Sequence, residues 1–192
     1  MMKFIRQSIS DVWVIEPKVY GDDRGYFVET FRQDMFEDKL GYKVNFIQDN
    51  ESKSHKGVLR GLHFQIEPHA QSKLVRVIDG TVLDVAVDIR KDSPNYGQHV
   101  AVKLSGNNKK QMFIPRGFAH GFAVLTDTAT FAYKVDNYYS KECDRGLAFD
   151  DIDLNIDWLL PKQQLILSDK DIKHPSLSEL IDCFDYSKNY YD

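Results

Sequence analysis

Hydrophobic and polar positions alternate along much of the chain with a period of two, in short runs separated by turn-forming residues. The runs KLVRVI, TVLDVAVDI, HVAVKL, QMFI, HGFAVL and ATFAYKVD are rich in Val, Phe, Ile and Tyr, a pattern that predicts strands. Asn95-Tyr96-Gly97, Ser105-Gly106-Asn107-Asn108 and Thr126-Asp127-Thr128 mark turns among them. Asp79-Gly80, between the first two runs, predicts an antiparallel hairpin because this dipeptide favours the positive φ of a two-residue turn. Within TVLDVAVDI, Leu83, Val85, Val87 and Ile89 fall on one face and Val82, Asp84, Ala86 and Asp88 on the other. A helical period appears in two places only. QDMFEDKL, residues 33–40, reads as a short helix stopped by Gly41. Near the C-terminus Leu177, Leu180, Ile181 and Phe184 follow helical spacing, with Ser176 and Glu179 placed to form a capping box. Closely and regularly spaced strands with so little helix predict a mainly β sandwich or barrel, with a few short helices including a C-terminal one.

Composition narrows the class. The 192 residues contain no repeat or linker, which predicts a single domain over 1–192. Hydrophobic residues make up 42%, and 12 Phe, 10 Tyr and 2 Trp supply a sizeable core, which excludes wholesale disorder. The 25 Lys plus Arg against 29 Asp plus Glu give a net charge of −4. That balance argues against a nucleic-acid surface, so an anionic ligand must be met by a local cationic pocket. The opening MMKFIRQSISDVWVI is interrupted by Gln7, Ser8, Ser10 and Asp11, which gives no signal-peptide core. No run reaches the roughly 18 apolar residues of a membrane helix. Cys143 and Cys183 lack CxxC spacing; free thiols in a cytoplasmic protein are the expectation.

Two of the six histidines stand in unusual contexts: His63 in GVLRGLHFQ and His120 in IPRGFAHGF. A lone His in a strand is more often structural than chemical. Two in glycine-punctuated strands shift the balance toward chemistry. Pro115-x-Gly117-x-x-His120 is similar to the second motif of the cupin superfamily, which predicts a cupin-type jelly-roll barrel. A metal cupin needs a His-x-His pair and a following Glu to complete its ligand set, whereas here His63 is followed by Phe64 and Gln65. No metal is therefore expected, and the histidines are free for acid–base work. Arg24 in GDDRGYFVETF, Arg60 and Lys73 are cationic candidates. Arg24, interleaved with Phe27, Glu29 and Phe31, lies on a strand-like segment suited to stacking a flat base. Lys73 and Asp84 could alternatively pair across the predicted hairpin. In an ideal strand Arg60 and His63 point to opposite faces, so a shared site requires either a bulge at Gly61 or a site that wraps over the barrel rim.

The segments DDRGYFVETF, QDNESKSHKGVLRGLHFQ, QSKLVRVIDGTVLDVAVDIRKDSPNYG, IPRGFAHGFAVL, YKVDNYY, LNIDW and ILSDKD occur in the order found in the dTDP-4-dehydrorhamnose 3,5-epimerase family, which the chain resembles from about residue 10 to 172. The resemblance implies cofactor-independent 3,5-epimerisation of dTDP-4-dehydro-6-deoxy-D-glucose to dTDP-4-dehydro-L-rhamnose. It implies His63 as the base that removes the proton beside the C4 ketone, Asp171 as its orienting carboxylate, and Tyr133 as the acid on the opposite ring face. Lys73 would stabilise the enolate oxygen. Arg24, Arg60 and Lys170 resemble the diphosphate-holding cations, Phe27, Glu29, Gln48 and Asn50 the nucleotide contacts, and His120 a sugar contact. Asp144 occupies a ligand-contact position where the family pattern usually has Glu. The ketone acidifies both carbons, so neither nicotinamide nor metal is required. A homodimer is implied as well. The rival readings are an epimerase of C3 or C5 alone or of another nucleotide-linked 4-keto sugar or heptose, a non-catalytic sugar-nucleotide binding module, and a metal cupin.

Overall fold

The computed structural model describes residues 2–181 and 184–191. The N-terminal third contains β1 (Lys3–Arg6), β2 (Trp13–Glu16), β3 (Val19–Asp22), β4 (Gly25–Val28), helix α1 (Gln33–Leu40) and β5 (Gln48–His55). The central part contains β6 (Leu59–Gln65), β7 (Lys73–Asp79), β8 (Thr81–Asp88), β9 (Arg90–Lys91), β10 (His99–Ser105) and β11 (Gln111–Ile114). Then follow β12 (Phe118–Val124), β13 (Thr128–Val135), β14 (Asp144–Gly146) and β15 (Phe184–Asp185). Two sheets face each other, one ordered β1-β2-β11-β7-β13-β5 and the other β10-β8-β12-β6-β14. Neighbours within both are antiparallel. This two-sheet barrel is the cupin-type jelly roll that the strand pattern and the His120 motif predict.

The predicted hairpin at Asp79-Gly80 does not form. Strand β7 pairs with β11 and β13, whereas β8 pairs with β10 and β12. The turn carries the chain from one sheet to the other. The dipeptide correctly signals local backbone demand: Gly80 has φ +81°, and a Cβ there would lie 2.2 Å from the Thr128 carbonyl oxygen. Pairing is decided elsewhere, because distant strands occupy both edges of β7 and of β8. Lys73 and Asp84 consequently stand on facing sheets rather than pairing across one ladder.

Both faces of β8 are buried, against different partners. Val82 and Ala86 point between the sheets, where they meet Val75, Met112, Phe122 and Phe131. Leu83, Val85, Val87 and Ile89 point outward into a second cluster with Leu147, Phe149, Leu154 and Trp158. Irregular chain after β14 therefore covers the outer face of the five-stranded sheet. Trp158 is fixed there by its indole N–H, which donates to the Phe149 carbonyl at 2.8 Å; deleting such a ring costs about 3–5 kcal/mol.

Helix α1 covers part of the other sheet's outer face through buried Phe36, which packs with Phe113 and Val44. It ends as its sequence predicts, with Gly41 at φ 81° and its N–H bonded to the Glu37 carbonyl. The predicted C-terminal helix is reduced to a 3-10 turn, Leu177–Glu179, although its capping box forms, with the Ser176 N–H donating to Glu179 at 3.0 Å. Ile181 is 93% exposed, and Phe184 lies in an extended pair with Arg90. That pairing requires strand backbone where a helix would continue. Cys143 is free and buried, while Cys183 lies outside the described residues. Among the described residues no helix is long and apolar enough to cross a membrane.

Candidate active site

A cavity of about 470 Å³ opens between the sheets, and its walls carry Arg60, His63, Lys73, His120, Tyr133 and Asp171. A contiguous recess of about 360 Å³ shares His63, Lys73 and Tyr133 with it and adds Gln48, Asn50 and Asp144; Lys170 borders both. Strand register explains this convergence. His63 on β6 stands opposite His120 on β12, and Tyr133 on β13 stands opposite Asn50 on β5. The pair His63 and His120 therefore belongs to one sheet, while Lys73 and Tyr133 belong to the facing one.

The bulge expected at Gly61 is present. His120 pairs with His63 and Phe122 with Arg60, so three steps along β6 match two along β12. The extra residue turns Arg60 and His63 onto one cavity wall despite their odd spacing. Gly61 has φ +127°, and a Cβ there would lie 2.6 Å from the Gly121 Cα and 2.8 Å from the His120 carbonyl oxygen. No other residue type fits that turn of backbone.

Strand β5, QDNESKSH, contains no apolar residue. Its even positions Gln48, Asn50, Ser52 and Ser54 are less exposed than the odd ones between them; Ser52 borders the cavity, and Gln48 and Asn50 its recess. There Gln48 donates to Asn50 at 2.8 Å, and Arg60 Nε donates to Ser54 Oγ at 3.1 Å.

Two histidine–carboxylate pairs stand at this cavity. His63 Nε2 lies 2.6 Å from Asp171 Oδ1, although the two residues are 108 positions apart. The segment carrying Asp171 is brought over by mutual backbone bonds between Gly57–Leu59 and Ile166. Asp171 then opens a 3-10 turn, its N–H bonded to Ser168 Oγ at 3.2 Å. Burial works against the Asp171 charge, but contacts with His174, His63 and Ser168 outweigh it and hold the carboxyl below its ordinary pKa. A charged carboxylate on Nε2 fixes the Nε2–H tautomer and leaves the Nδ1 lone pair as the basic one. In the second pair, His120 Nε2 lies 3.1 Å from both Asp84 oxygens. Burial pushes the Asp84 carboxyl up against the pull of His120 and Lys73, and pushes the His120 imidazole down against the pull of Asp84.

Lys73 borders both the cavity and its recess. Burial lowers its pKa to about 8 despite Asp84 and Asp144, which favour its charge; it remains mostly protonated at neutral pH. Burial also raises the Tyr133 phenol, with Arg60 opposing, so the phenol keeps its proton. Lys170 pairs with Asp144, whose Oδ2 also accepts from the Tyr139 hydroxyl at 3.0 Å.

Of the residues singled out in the sequence, Gln48, Asn50, Arg60, His63, Lys73, His120, Tyr133, Asp144, Lys170 and Asp171 border the cavity and its recess. Arg24, Phe27 and Glu29 do not. Arg24 and Phe27 lie in and beside the β3–β4 hairpin, where Arg24 is bound to Asp22 and Phe27 is 68% exposed. Glu29 is exposed just after that hairpin. Phe31, predicted to share their face, turns instead into the cluster around Phe36 and Phe46.

The sequence reading missed Asp84 as the partner of His120. Its one available signal was a carboxylate within the apolar VLDVAV. His174, 3.4 Å from Asp171, carried no signal. A cupin metal does not fit: His63 and His120 turn to different carboxylates, and Gln65 is consumed by the His69 and Tyr138 carbonyls and the Ser140 N–H.

Fold and cavity together define a cupin-type barrel equipped for proton transfer. The model of the dTDP-4-dehydrorhamnose 3,5-epimerase family matches residues 6–179, and the chain belongs to that family; it is an isomerase. It is 58% identical over 171 residues to dTDP-4-dehydrorhamnose 3,5-epimerase of Shigella flexneri, covering 89% of this chain and 93% of that one. A dTDP-6-deoxy-D-glucose-3,5-epimerase from Legionella pneumophila, solved in complex with dTDP-4-keto-L-rhamnose, superposes with a TM-score of 0.93 at 49% identity, covering 98% of this chain and 100% of that one. A 3′-monoepimerase from Streptomyces bikiniensis, solved with dTDP-quinovose, has the same fold at a TM-score of 0.84 and 32% identity, covering 90% and 87%.

Proposed function

We propose that this protein inverts C3 and C5 of dTDP-4-dehydro-6-deoxy-D-glucose to give dTDP-4-dehydro-L-rhamnose. The observation that carries the reading is the placement of two proton-transfer groups, His63 and Tyr133, on facing sheets across one cavity. Inversion requires a proton to leave one face of the sugar and return to the other. A single group returning its own proton would regenerate the starting configuration.

Both carbons adjoin the C4 ketone, so removal of either proton gives an enolate whose charge rests on the C4 oxygen. His63, oriented by Asp171, takes the proton on Nδ1. The Lys73 ammonium stabilises the oxyanion, where a fixed charge in a desolvated cavity acts most strongly. Tyr133 delivers a proton from the opposite wall. His120, held by Asp84, positions the sugar. Arg60 and Lys170 meet the diphosphate, and Gln48 and Asn50 the nucleotide, with Asp144 setting Lys170 in place.

Arg24, Phe27 and Glu29 complete the nucleotide site of a second copy. Support comes from the exposed apolar surface of their hairpin, where Val19, Tyr20, Tyr26 and Phe27 are all exposed. A homodimer formed through this hairpin buries that surface and brings Arg24 to a diphosphate that it does not reach in its own chain. The cytoplasm, with its nucleotide sugars, is the compartment that suits this reaction and the free Cys143.

The test is incubation of the substrate with enzyme in D₂O, followed by NMR. Deuterium enters at C3 and C5 in the expected outcome. Exchange at one carbon alone makes the protein a single-position epimerase, and binding without exchange makes it a binding module.

A further inference from the structure

His63 and Asp171 have a third neighbour that the proposed reaction does not use. We infer that His63, Asp171 and His174 form a binding site for a borderline divalent cation, represented by Zn²⁺, whose occupation switches off proton transfer.

The donor set is two imidazole nitrogens and one carboxylate oxygen, with the three donor atoms within 4.8 Å of one another. Both Nε2 atoms gather on the same oxygen: Asp171 Oδ1 lies 2.6 Å from His63 and 3.4 Å from His174. Zinc bonds of about 2.0–2.2 Å at tetrahedral angles place donors roughly 3.3 Å apart, so only small side-chain shifts are needed. Three protein ligands leave a fourth position for water from the adjoining cavity, and imidazole with carboxylate suits zinc rather than magnesium.

His174 is held for this geometry. Its side chain is 9% exposed, and its buried Nε2 meets Asp171 Oδ1 at 3.4 Å without forming a hydrogen bond of normal geometry to any described residue. A buried donor or acceptor left unsatisfied is costly, and a cation would satisfy it. The ring rests against Gly146, the residue paired with His63 in the β6–β14 ladder. A Cβ on Gly146 would lie 2.2 Å from the ring, so the glycine creates the space. The His63 and His174 rings meet edge to face, 5.6 Å apart.

Asp171 supplies the negative charge. The ammonium groups of Lys73 and Lys170 oppose a cation, but each is answered by carboxylates, Asp84 and Asp144 for Lys73 and Asp144 for Lys170.

The consequence follows from imidazole chemistry. With a metal on Nε2, a neutral His63 ring carries its single proton on Nδ1. The proton formerly on Nε2 passes through water to Nδ1 with no net release, so the nitrogen that accepts the substrate proton is blocked.

The test uses the full-length protein, stripped with a chelator and titrated with Zn²⁺ by calorimetry and in the D₂O exchange assay. One Zn²⁺ per chain binds, exchange is lost with the same midpoint, EDTA restores it, and Mg²⁺ has no effect at equal concentration. His174→Ala and Gly146→Ala, each compared with its own metal-free rate, weaken both midpoints by at least about tenfold. X-ray absorption of the wild-type zinc complex shows two imidazoles, a readout that needs neither a variant nor activity. No stoichiometric binding, fewer than two imidazoles, or an unchanged midpoint in a folded variant overturns the site. Stoichiometric binding by a protein inactive toward the sugar leaves the site standing and removes only the proposed function.

Discussion

The His63–Asp171 and His120–Asp84 pairs use the same two residue types and differ in nearly everything else. His63 is about one-third exposed at the cavity, and its carboxylate stays charged because several groups bond to it. His120 and Asp84 are almost wholly enclosed, and burial moves both toward their neutral forms. His120 is also stacked beside Phe131, which itself stacks on Phe122. A base must meet substrate and accept charge, whereas a positioning group must hold one geometry. Under the proposed roles, solvent access and the number of bonds to the carboxylate, and not residue identity, separate the base from the positioning group.

The largest test of that contrast is His63→Ala against His120→Ala. Loss of His63 reduces deuterium exchange by about 10²–10⁴-fold while dTDP binding persists. Loss of His120 costs less, about 10–100-fold through misplacement of the sugar, with a clear rise in KM. Equal effects on kcat would erase the distinction.

Lys73 lines the cavity that both histidines border. Its ammonium has a pKa of about 8, so kcat declines as pH rises past that value and the oxyanion loses its cation. Lys73→Gln lowers kcat by about 10²–10³-fold and removes this alkaline limb from the pH–rate profile. A limb that survives the substitution belongs to another group.

The smallest effect concerns stability, and its sign differs between the two carboxylates. The Asp171 carboxyl is held below its ordinary 3.8, so its contribution is complete above that pH and is lost as pH falls toward its folded value. Asp84 lies above 3.8 in the folded chain; its contribution is present below that pH and is lost as pH rises through its folded value. Thermal melts between about pH 3 and 6 therefore respond oppositely. Asp171→Asn flattens the rise of Tm with pH, and Asp84→Asn steepens it. The same change in both variants would show that the environments of the two carboxylates are alike.

Much of the barrel is legible in residue order. The period-two runs give β8, β10, β12 and β13, and Gly41 marks the end of α1 because only its left-handed backbone closes that helix well. Strand β5 is hidden from an apolar pattern, since its inward face meets a polar cavity. The Asp79-Gly80 turn and the Leu177–Phe184 spacing mislead for one reason: local preference does not reveal which distant strand occupies an edge or holds Phe184 extended.

The candidate site divides along the same line. By itself the sequence determined the family, the mainly β architecture and most of the chemical groups, because motif order and side-chain type are properties of the chain. Tertiary structure decided that Arg60 shares a wall with His63, through the Gly61 bulge. It also placed Asp84 with His120, set Arg24 apart from its own cavity, and brought His174 to Asp171. Each of these depends on register, burial or contact across tens of residues, and those distances exist only once the sheets have paired.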